Sequence, residues 1–135
     1  MAVNAVSSSV DIAVSGLRAQ SRRMNVIAEN LANAHTTRTT GGGAYRRKEV
    51  VLDTAGDDPT GVRIETIRTD NETPLKRVRM PGHPDADGDG FVTLPNVSIP
   101  TEMMNLVVAS RAYQANAAVL KRYQQSVDTA LELLR

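Results

Sequence analysis

The segment from Pro84 to Asn96 contains the residues whose types and spacing most resemble a metal site. Asp85, Asp87 and Asp89 stand at alternate positions and a glycine follows at position 90. A calcium-binding EF-hand loop begins in this way, because carboxylate oxygens are the ligands that Ca²⁺ prefers. One hypothesis is therefore a calcium-binding module that uses residues 85–96.

The rest of this segment weighs against a calcium site. An EF-hand places a bidentate carboxylate at its twelfth position, where this chain has Asn96 with a single neutral oxygen. Helices must also flank the loop, but Pro81 and Pro84 precede it, and Pro95 at its eleventh position blocks the normal start of the exit helix. The sequence favours an Asp/Gly turn that leads into a strand at 91–94, with no metal or cofactor.

Other chemistry is poorly supported. The chain has no cysteine and two histidines, His35 and His83, and neither stands in the spacing of a catalytic or metal-ligating motif. Arg46–Lys48 is a short basic run, but the net charge of +1 gives no reason to expect nucleic acid, so a solvated strand face is favoured. The longest apolar runs are far shorter than the ~20 residues of a membrane span. We expect no catalytic residue and no transmembrane segment.

Glycine and proline divide the chain into two ends and a middle. All but one of the nine glycines and all six prolines lie within 41–100, so long helices are possible only at the two ends. The predicted class is α+β, with two long terminal helices packed as a coiled coil and a small β-rich domain inserted between them. The expected segments are a helix at 1–35, a flexible loop at 36–44, a β-rich outer domain at 45–98 and a helix at 99–135.

Apolar residues recur in steps of three and four at both ends, as in the seam of a coiled coil. The N-terminal seam contains Val3, Val6, Val10, Ala13, Leu17, Met24, Ile27 and Leu31. The C-terminal seam contains Met103, Leu106, Tyr113, Ala117, Leu120, Val127, Leu131 and Leu134. Gln20, Ser110 and Gln124 interrupt the two seams and would need hydrogen-bond partners.

The N-terminal helix carries a second apolar stripe that includes Ile12, Ala19 and Val26. At ~100° per residue this stripe lies almost opposite the seam, so a pair of helices would leave it in water. We therefore expect neighbours from other copies of the chain, and terminal helices that are poorly ordered until copies associate. The repeat leaves open a closed oligomeric adaptor built on a coiled coil and an open filament.

The middle of the chain reads as short strands bounded by glycine and proline. The expected strands are Tyr45–Leu52, Val62–Ile67, Leu75–Met80 and Phe91–Leu94, and we expect them to form one small twisted sheet. Ser98 is the expected N-cap of the C-terminal helix, and the glycine-rich loop at 35–43 is expected to be mobile.

Several segments together resemble the flagellar basal-body rod proteins, and among them the proximal-rod C type. They are RMNVIAENLANAHTT (23–37), YRRKEVVL (45–52), PDADGDGFVTLPNV (84–97) and EMMNLVVASRAYQANAAVLK (102–121). Rod and hook proteins share the Asn-Leu-Ala-Asn run, which places Asn30 and Asn33 in the expected assembly interface. This sequence departs from the family pattern at His35 and Ala44, beside the expected loop.

The resemblance implies a structural subunit of the rod and no enzymatic activity. It implies export through the flagellar type III apparatus without a cleaved signal peptide, and polymerisation in the periplasm with the helices forming the inner tube. The implied partners are other copies of the chain, sibling proximal and distal rod proteins, and the adaptor that joins the rod to the membrane ring.

Overall fold

Two long helices and four short strands make up the fold. The structure is a computed structural model, which describes residues 2–56 and 61–134, with the side chains of residues 2–8 outside that description. In chain order the elements are α1 (Ala2–Ala32), β1 (Lys48–Thr54), β2 (Val62–Thr69), β3 (Lys76–Arg79), β4 (Phe91–Leu94) and α2 (Ile99–Leu133). The two helices pack on each other and the strands lie between them in sequence, so the predicted α+β class is confirmed.

The two helices run antiparallel. Asn30, near the end of α1, is hydrogen-bonded to Glu102 near the start of α2, whereas Gly16 in the middle of α1 lies against Asn116 farther along α2. A Cβ atom at residue 16 would stand 2.7 Å from the Asn116 amide nitrogen, so the absence of a side chain at Gly16 allows this close approach.

The strands form two separate antiparallel pairs. β1 pairs with β2, with Val50 opposite Ile67 and a register shift between Val51 and Leu52, and β3 pairs with β4. The positions of the strands agree closely with the sequence prediction, but the expected single sheet is wrong. A turn after β2 separates the two strand pairs. In this turn the Asp70 carboxylate accepts hydrogen bonds from the backbone N–H groups of Glu72 and Thr73, which bends the chain.

The small core lies along α1. Among the described residues, the buried apolar side chains are Ala13, Ala19, Val26, Ile27, Ala34, Tyr45, Val92, Val97 and Ala109. Five of these belong to α1 or to the turn that follows it, and Ala34 packs in one cluster with Tyr45 and Val97. Neither of the described helices has the combination of length and apolar character that crossing a bilayer requires.

The connections next to the helices are held by hydrogen bonds. In the loop after α1, the backbone N–H of Thr39 donates to the carbonyl of Gly43 at 2.9 Å, and that of Tyr45 donates to Thr36 at 3.0 Å. The mobility expected for this loop stays a prediction. At the start of α2, Ser98 occupies the predicted N-cap position with an extended backbone. Within the described residues, however, its hydroxyl makes no hydrogen bond that caps the helix.

Candidate assembly interface

The acidic loop is a turn whose carboxylates bind protein groups. The Asp85 carboxylate accepts a hydrogen bond from the Thr37 hydroxyl at 2.7 Å and pairs with Arg38 at 2.5 Å. The Asp87 carboxylate accepts backbone N–H groups from Asp89 at 3.0 Å and from Phe91 at 2.8 Å, and it also pairs with Arg77. The described chain therefore uses these oxygens to shape a turn that leads into β4, which is the arrangement that the sequence favoured over a calcium loop.

Hydrogen bonds hold both carboxylates in the ionised form. The pKa of Asp85 is lowered by the Thr37 hydroxyl and then by the charge of Arg38. The pKa of Asp87 is lowered by the Phe91 N–H and then by Arg77. Within residues 2–56 and 61–134, no group of three or more histidine, aspartate and glutamate side chains is arranged to hold a metal ion.

A buried polar junction, formed by Asn30, Tyr45, Arg47, Asn96 and Glu102, joins the helices to the strands. The Asn30 side chain is fully buried. Its carbonyl oxygen accepts from the Tyr45 hydroxyl and from the backbone N–H at residue 48, both at 2.9 Å. Its amide nitrogen donates to the carbonyl of residue 48 at 2.8 Å and to the Glu102 carboxylate at 3.0 Å. One asparagine therefore connects α1 to β1 and to α2.

Glu102 supplies the negative charge of the polar junction. Its side chain is only 1% exposed, and one carboxylate oxygen accepts from Arg47 Nε at 2.7 Å while the other accepts from Asn30. A buried carboxylate costs much less when it is both paired and hydrogen-bonded. Arg47 also contacts Glu49 at 3.2 Å, so a residue expected on a solvated strand face lies largely covered in this junction.

Asn96 extends the polar junction to the turn after β2. Its side-chain oxygen accepts from the backbone N–H of Arg47 at 2.8 Å, and its amide donates to the carbonyls of Asp70 at 3.1 Å and Thr73 at 3.2 Å. The residue at the twelfth position of the supposed calcium loop therefore connects the segment after β4 to the start of β1 and to the turn after β2.

The electrostatics of the polar junction follow from this burial. Removal from water, and then the charges of Glu29 and Glu102, raise the pKa of Tyr45 to about 12. Burial alone would lower the pKa of Arg47, but its hydrogen bonds and ion pairs with Glu102 and Glu49 outweigh that effect and raise it. The tyrosine therefore stays neutral and the arginine charged well into the alkaline range.

The second stripe of α1 is covered mainly by this chain itself. Ala19 and Val26 are 2% and 4% exposed, and α1 contacts β1 and β2 as well as α2. Ser15 accepts a hydrogen bond from the Val62 N–H at 3.0 Å, and Gly61 lies against Ser15 with a φ of +123° that favours glycine. The expectation that another copy must cover this stripe is therefore wrong for Ala19 and Val26. Ile12, by contrast, is 38% exposed.

The predicted seam of α1 lies at the edge of this buried surface. Ala13 and Ile27 are buried, whereas Val10, Leu17, Met24 and Leu31 are half-buried. Val3 and Val6 lie outside the described side chains. Asn33, one residue past the end of α1, is half-buried, and its amide donates to the Glu29 carbonyl at 2.9 Å. Asn30 and Asn33, which the resemblance treats alike, therefore have different surroundings.

The predicted seam of α2 is largely open. Leu106, Ala117 and Leu120 are half-buried, and the other predicted seam residues, which are Met103, Tyr113, Val127, Leu131 and Leu134, are exposed. The buried residues of α2 are Glu102 and Ala109, each one position before a predicted seam residue. The face of α2 that meets α1 is therefore rotated relative to the prediction.

An outer stripe of apolar side chains runs along α2 on the side away from α1. We define the outer stripe as Met104, Val107, Val108, Ala115, Ala118 and Val119, all of which are exposed. With 3.6 residues per turn, these positions lie roughly opposite Glu102 and Ala109. Every residue from Lys121 to Leu134 is also exposed. The sequence predicts that α1 has an apolar stripe left uncovered by its own chain, but in the structure the uncovered apolar stripe lies on α2.

Comparisons with known proteins match the parts of the chain that hold the two helices. The family model described as flagella basal body rod protein matches residues 11–38, and the model described as flagellar basal body rod FlgEFG protein C-terminal matches residues 89–133. The first match includes Asn30 and the second includes β4, Asn96 and Glu102, so three of the five residues of the polar junction fall within matched segments, while Tyr45 and Arg47 lie between those segments.

Similar proteins extend the match to nearly the whole chain. The flagellar basal-body rod protein FlgC of Borreliella burgdorferi is 36% identical, over 95% of this chain and 97% of that protein. FlgC of Yersinia enterocolitica is 47% identical over 82% and 84%, and FlgC of Salmonella typhimurium is 44% identical over 91% and 93%. The resemblance drawn from the sequence motifs is confirmed, and the chain belongs to the FlgC family of flagellar basal-body rod proteins.

Proposed function

We propose that this chain is a structural subunit of the proximal rod of the bacterial flagellar basal body, and that its helices carry the contacts between subunits. Membership of the rod-protein family supports the structural role. The observation that carries the second part is the exposure of apolar residues along α2, which one copy of the chain leaves facing water. Exposed apolar surface of this extent marks an interaction site.

The residues proposed for the assembly interface divide by burial. Those that a neighbour can reach directly are the exposed members of the predicted set, namely Ile12, Met103, Tyr113, Val127, Leu131 and Leu134. Those buried in one copy, such as Ala19, Val26 and Asn30, act by holding the helices in position. The proposed interface is therefore mainly a surface of α2.

The proposed partners follow from the role in the rod. They are other copies of the chain, sibling proximal and distal rod proteins, the adaptor between rod and membrane ring, and the type III export apparatus that delivers the subunit without a cleaved signal peptide. In this proposal residues 1–35 and 99–135 form the core of the rod, residues 45–98 form its outer part, and residues 36–44 are a flexible connection. No enzymatic step is part of this proposal, since the relatives are named as rod proteins.

Order that depends on assembly is also part of the proposal. The end of α2 from Lys121 onward buries little in a single copy, so little apolar contact offsets the ~1–2 kcal/mol per residue that ordering the backbone costs. We expect circular dichroism of the dilute monomer to show less helix than the structure contains, and the missing helix to appear on association. Full helix content in the dilute monomer would contradict this expectation.

The test of the function is incorporation into basal bodies. In a strain that lacks its own rod protein of this family, the chain should restore motility and appear stoichiometrically in isolated basal bodies. An electron cryo-microscopy map of those basal bodies should place both termini of the chain nearest the central channel. A chain that sediments as a closed dimer or tetramer and is absent from basal bodies would instead be an oligomeric coiled-coil adaptor.

A further inference from the structure

Two apolar patches lie at opposite ends of α2. The proximal patch comprises Met103, Met104, Val107 and Val108, which are 52–71% exposed, and the distal patch comprises Leu131, Leu133 and Leu134, which surround the last turn of α2 and are 60–84% exposed. These seven are the most exposed of the large apolar side chains that the structure describes. A surface patch of this kind in water favours association with another apolar surface.

One copy of the chain cannot bring its two patches together. Both belong to a single continuous helix of 35 residues, and at 1.5 Å per residue Met104 and Leu133 are about 40 Å apart. If the two patches bind each other, they must therefore do so between different copies.

The charges beside the patches are complementary. Arg111, one turn beyond Val107 and Val108, is exposed, and across the described residues from 101 to 120 the one acidic side chain is the buried Glu102. Asp128 and Glu132 are exposed within one turn of the distal leucines, and in the sequence these two carboxylates outnumber the one cation as near to them, Arg135. The proximal patch is thus bordered by positive charge and the distal patch by negative charge, whereas two proximal patches or two distal patches would bring like charges together.

We propose that the proximal patch of one copy binds the distal patch of a second copy, with Arg111 of the first facing Asp128 and Glu132 of the second. This inference rests on the proposed function and adds the pair of surfaces and the polarity of the contact. A contact between unlike surfaces leaves one patch unused at each end of the pair, so it repeats without closing unless the rotation forms a ring.

Two variants that each spoil one patch test the proposal. The proximal variant carries Met104→Glu and Val107→Glu, and the distal variant carries Leu131→Lys and Leu133→Lys. All four positions are exposed, and circular dichroism checks that helix content is kept. Sedimentation of the wild-type chain should show association that increases with concentration, and each variant alone should associate roughly tenfold or more weakly, because apolar anchors dominate such contacts.

Mixing the two variants supplies the decisive result. Each variant keeps the patch that the other has lost, so an equimolar mixture should form a one-to-one complex that does not grow further. Val119→Glu, on the outer stripe but in neither patch, is the matched control and should associate like the wild type. A proximal or distal variant that associates normally by itself, a mixture that stays monomeric, or a wild-type chain that is monomeric at all concentrations would overturn the proposal.

A charge exchange tests the polarity. Arg111→Glu alone, and Asp128→Lys with Glu132→Lys alone, should each weaken association, and an equimolar mixture of these two variants should associate more strongly than either one. In cells, patch variants that enter basal bodies and restore motility like the wild type would overturn this inference and leave the rod function intact. Failure of the wild-type chain to enter basal bodies would instead remove the rod function itself.

Discussion

The two helices differ in how much of their surface the chain covers. α1 contacts α2 along one side and the β1–β2 pair along another, and it holds four of the buried apolar residues, more than any other element. α2 contacts α1 along one side, and its outer stripe faces water. The difference comes from topology, because β1 and β2 fold back onto α1 and the strands have no comparable contact with α2.

Because the two helices are covered to different extents, substitutions in them should have different effects. Substitutions in α1 should change the stability of a single copy, because they disturb packing and hydrogen bonds that one copy already makes. Substitutions in the proximal and distal patches of α2 should leave that stability nearly unchanged and act on association. Pairs of identical substitutions, one in each environment, can therefore test the comparison directly.

The largest expected effect is at the polar junction. Asn30→Ala removes the side chain that bonds Tyr45, Glu102 and both backbone groups of residue 48, so each of these groups loses that hydrogen bond, although Glu102 keeps its pairing with Arg47. We expect a loss of about 3 kcal/mol in the free energy of unfolding, since each buried unsatisfied group costs roughly 1–3 kcal/mol. Urea denaturation of the free chain followed by circular dichroism measures this loss.

Asn33→Ala is the matched control, three residues further along the same chain. Its amide makes an exposed bond to the Glu29 carbonyl and its side-chain oxygen accepts one from the Thr36 hydroxyl, so the expected loss is about 1 kcal/mol. If both alanine variants lost the same stability, the polar junction would not be the main connection between α1 and the rest of the chain.

The next effect contrasts the two helices through one substitution. Ala19→Leu places a large side chain where α1 is 2% exposed, and we expect a destabilisation of about 2 kcal/mol from overpacking. Ala115→Leu makes the same change on the exposed outer stripe of α2, where the expected change is within about 0.5 kcal/mol. Thermal or urea unfolding of the two variants compares them, and an equal loss in both would show that α2 is covered as fully as α1.

The sequence predicted which elements form but not which surfaces they cover. The spacing of apolar residues and the distribution of glycine and proline located both helices and all four strands to within a few residues. It did not indicate that β1 and β2 pack on α1, because alternation within a strand says nothing about its neighbour. Ala19 and Val26 were consequently assigned to a contact between copies, although the chain buries them itself.

The polar junction was also only partly predictable. The resemblance placed Asn30 in the expected assembly interface, but it gave no reason to expect that Asn30 is more buried than Asn33. Glu102 lies in the first turn of α2, where a carboxylate is favourable whether or not it is buried. Its pairing with Arg47 joins residues 55 positions apart in the chain, and short-range patterns carry no information about such contacts. The one signal in the sequence that pointed to a buried carboxylate was the position of Glu102, directly before the first residue of the predicted seam of α2.

A smaller effect is expected at alkaline pH. The pKa of Tyr45 is raised from 10.0 to about 12 in the folded chain, so folding favours the neutral phenol. This contribution is fully present below pH 10 and is lost as the pH rises from 10 to about 12. Because one pKa unit corresponds to 1.36 kcal/mol and solvent reaches part of the site, we expect a loss of roughly 1–2 kcal/mol.

The comparison with Tyr45→Phe isolates this loss from other groups that titrate in the same range. The variant should be less stable than the wild type at neutral pH, because the hydroxyl bond to Asn30 is absent, and the difference should shrink between pH 9 and pH 11.5. Tyr123→Phe, at an exposed site on α2, should follow the wild-type profile. A constant difference between Tyr45→Phe and wild type across this range would contradict the raised pKa.

The smallest expected effect concerns Gln20, which interrupts the predicted seam of α1. Its side-chain oxygen is buried and, among the described residues, has no hydrogen-bond partner. Gln20→Met keeps a similar length and removes the polar atoms, so we expect a gain of up to about 1 kcal/mol in the free energy of unfolding. Gln125→Met at an exposed position of α2 is the control, with a change within about 0.5 kcal/mol. A loss at Gln20→Met larger than that of the control would mean that this amide is bonded in the folded chain, and that α1 and α2 meet through a polar contact at the middle of their shared face.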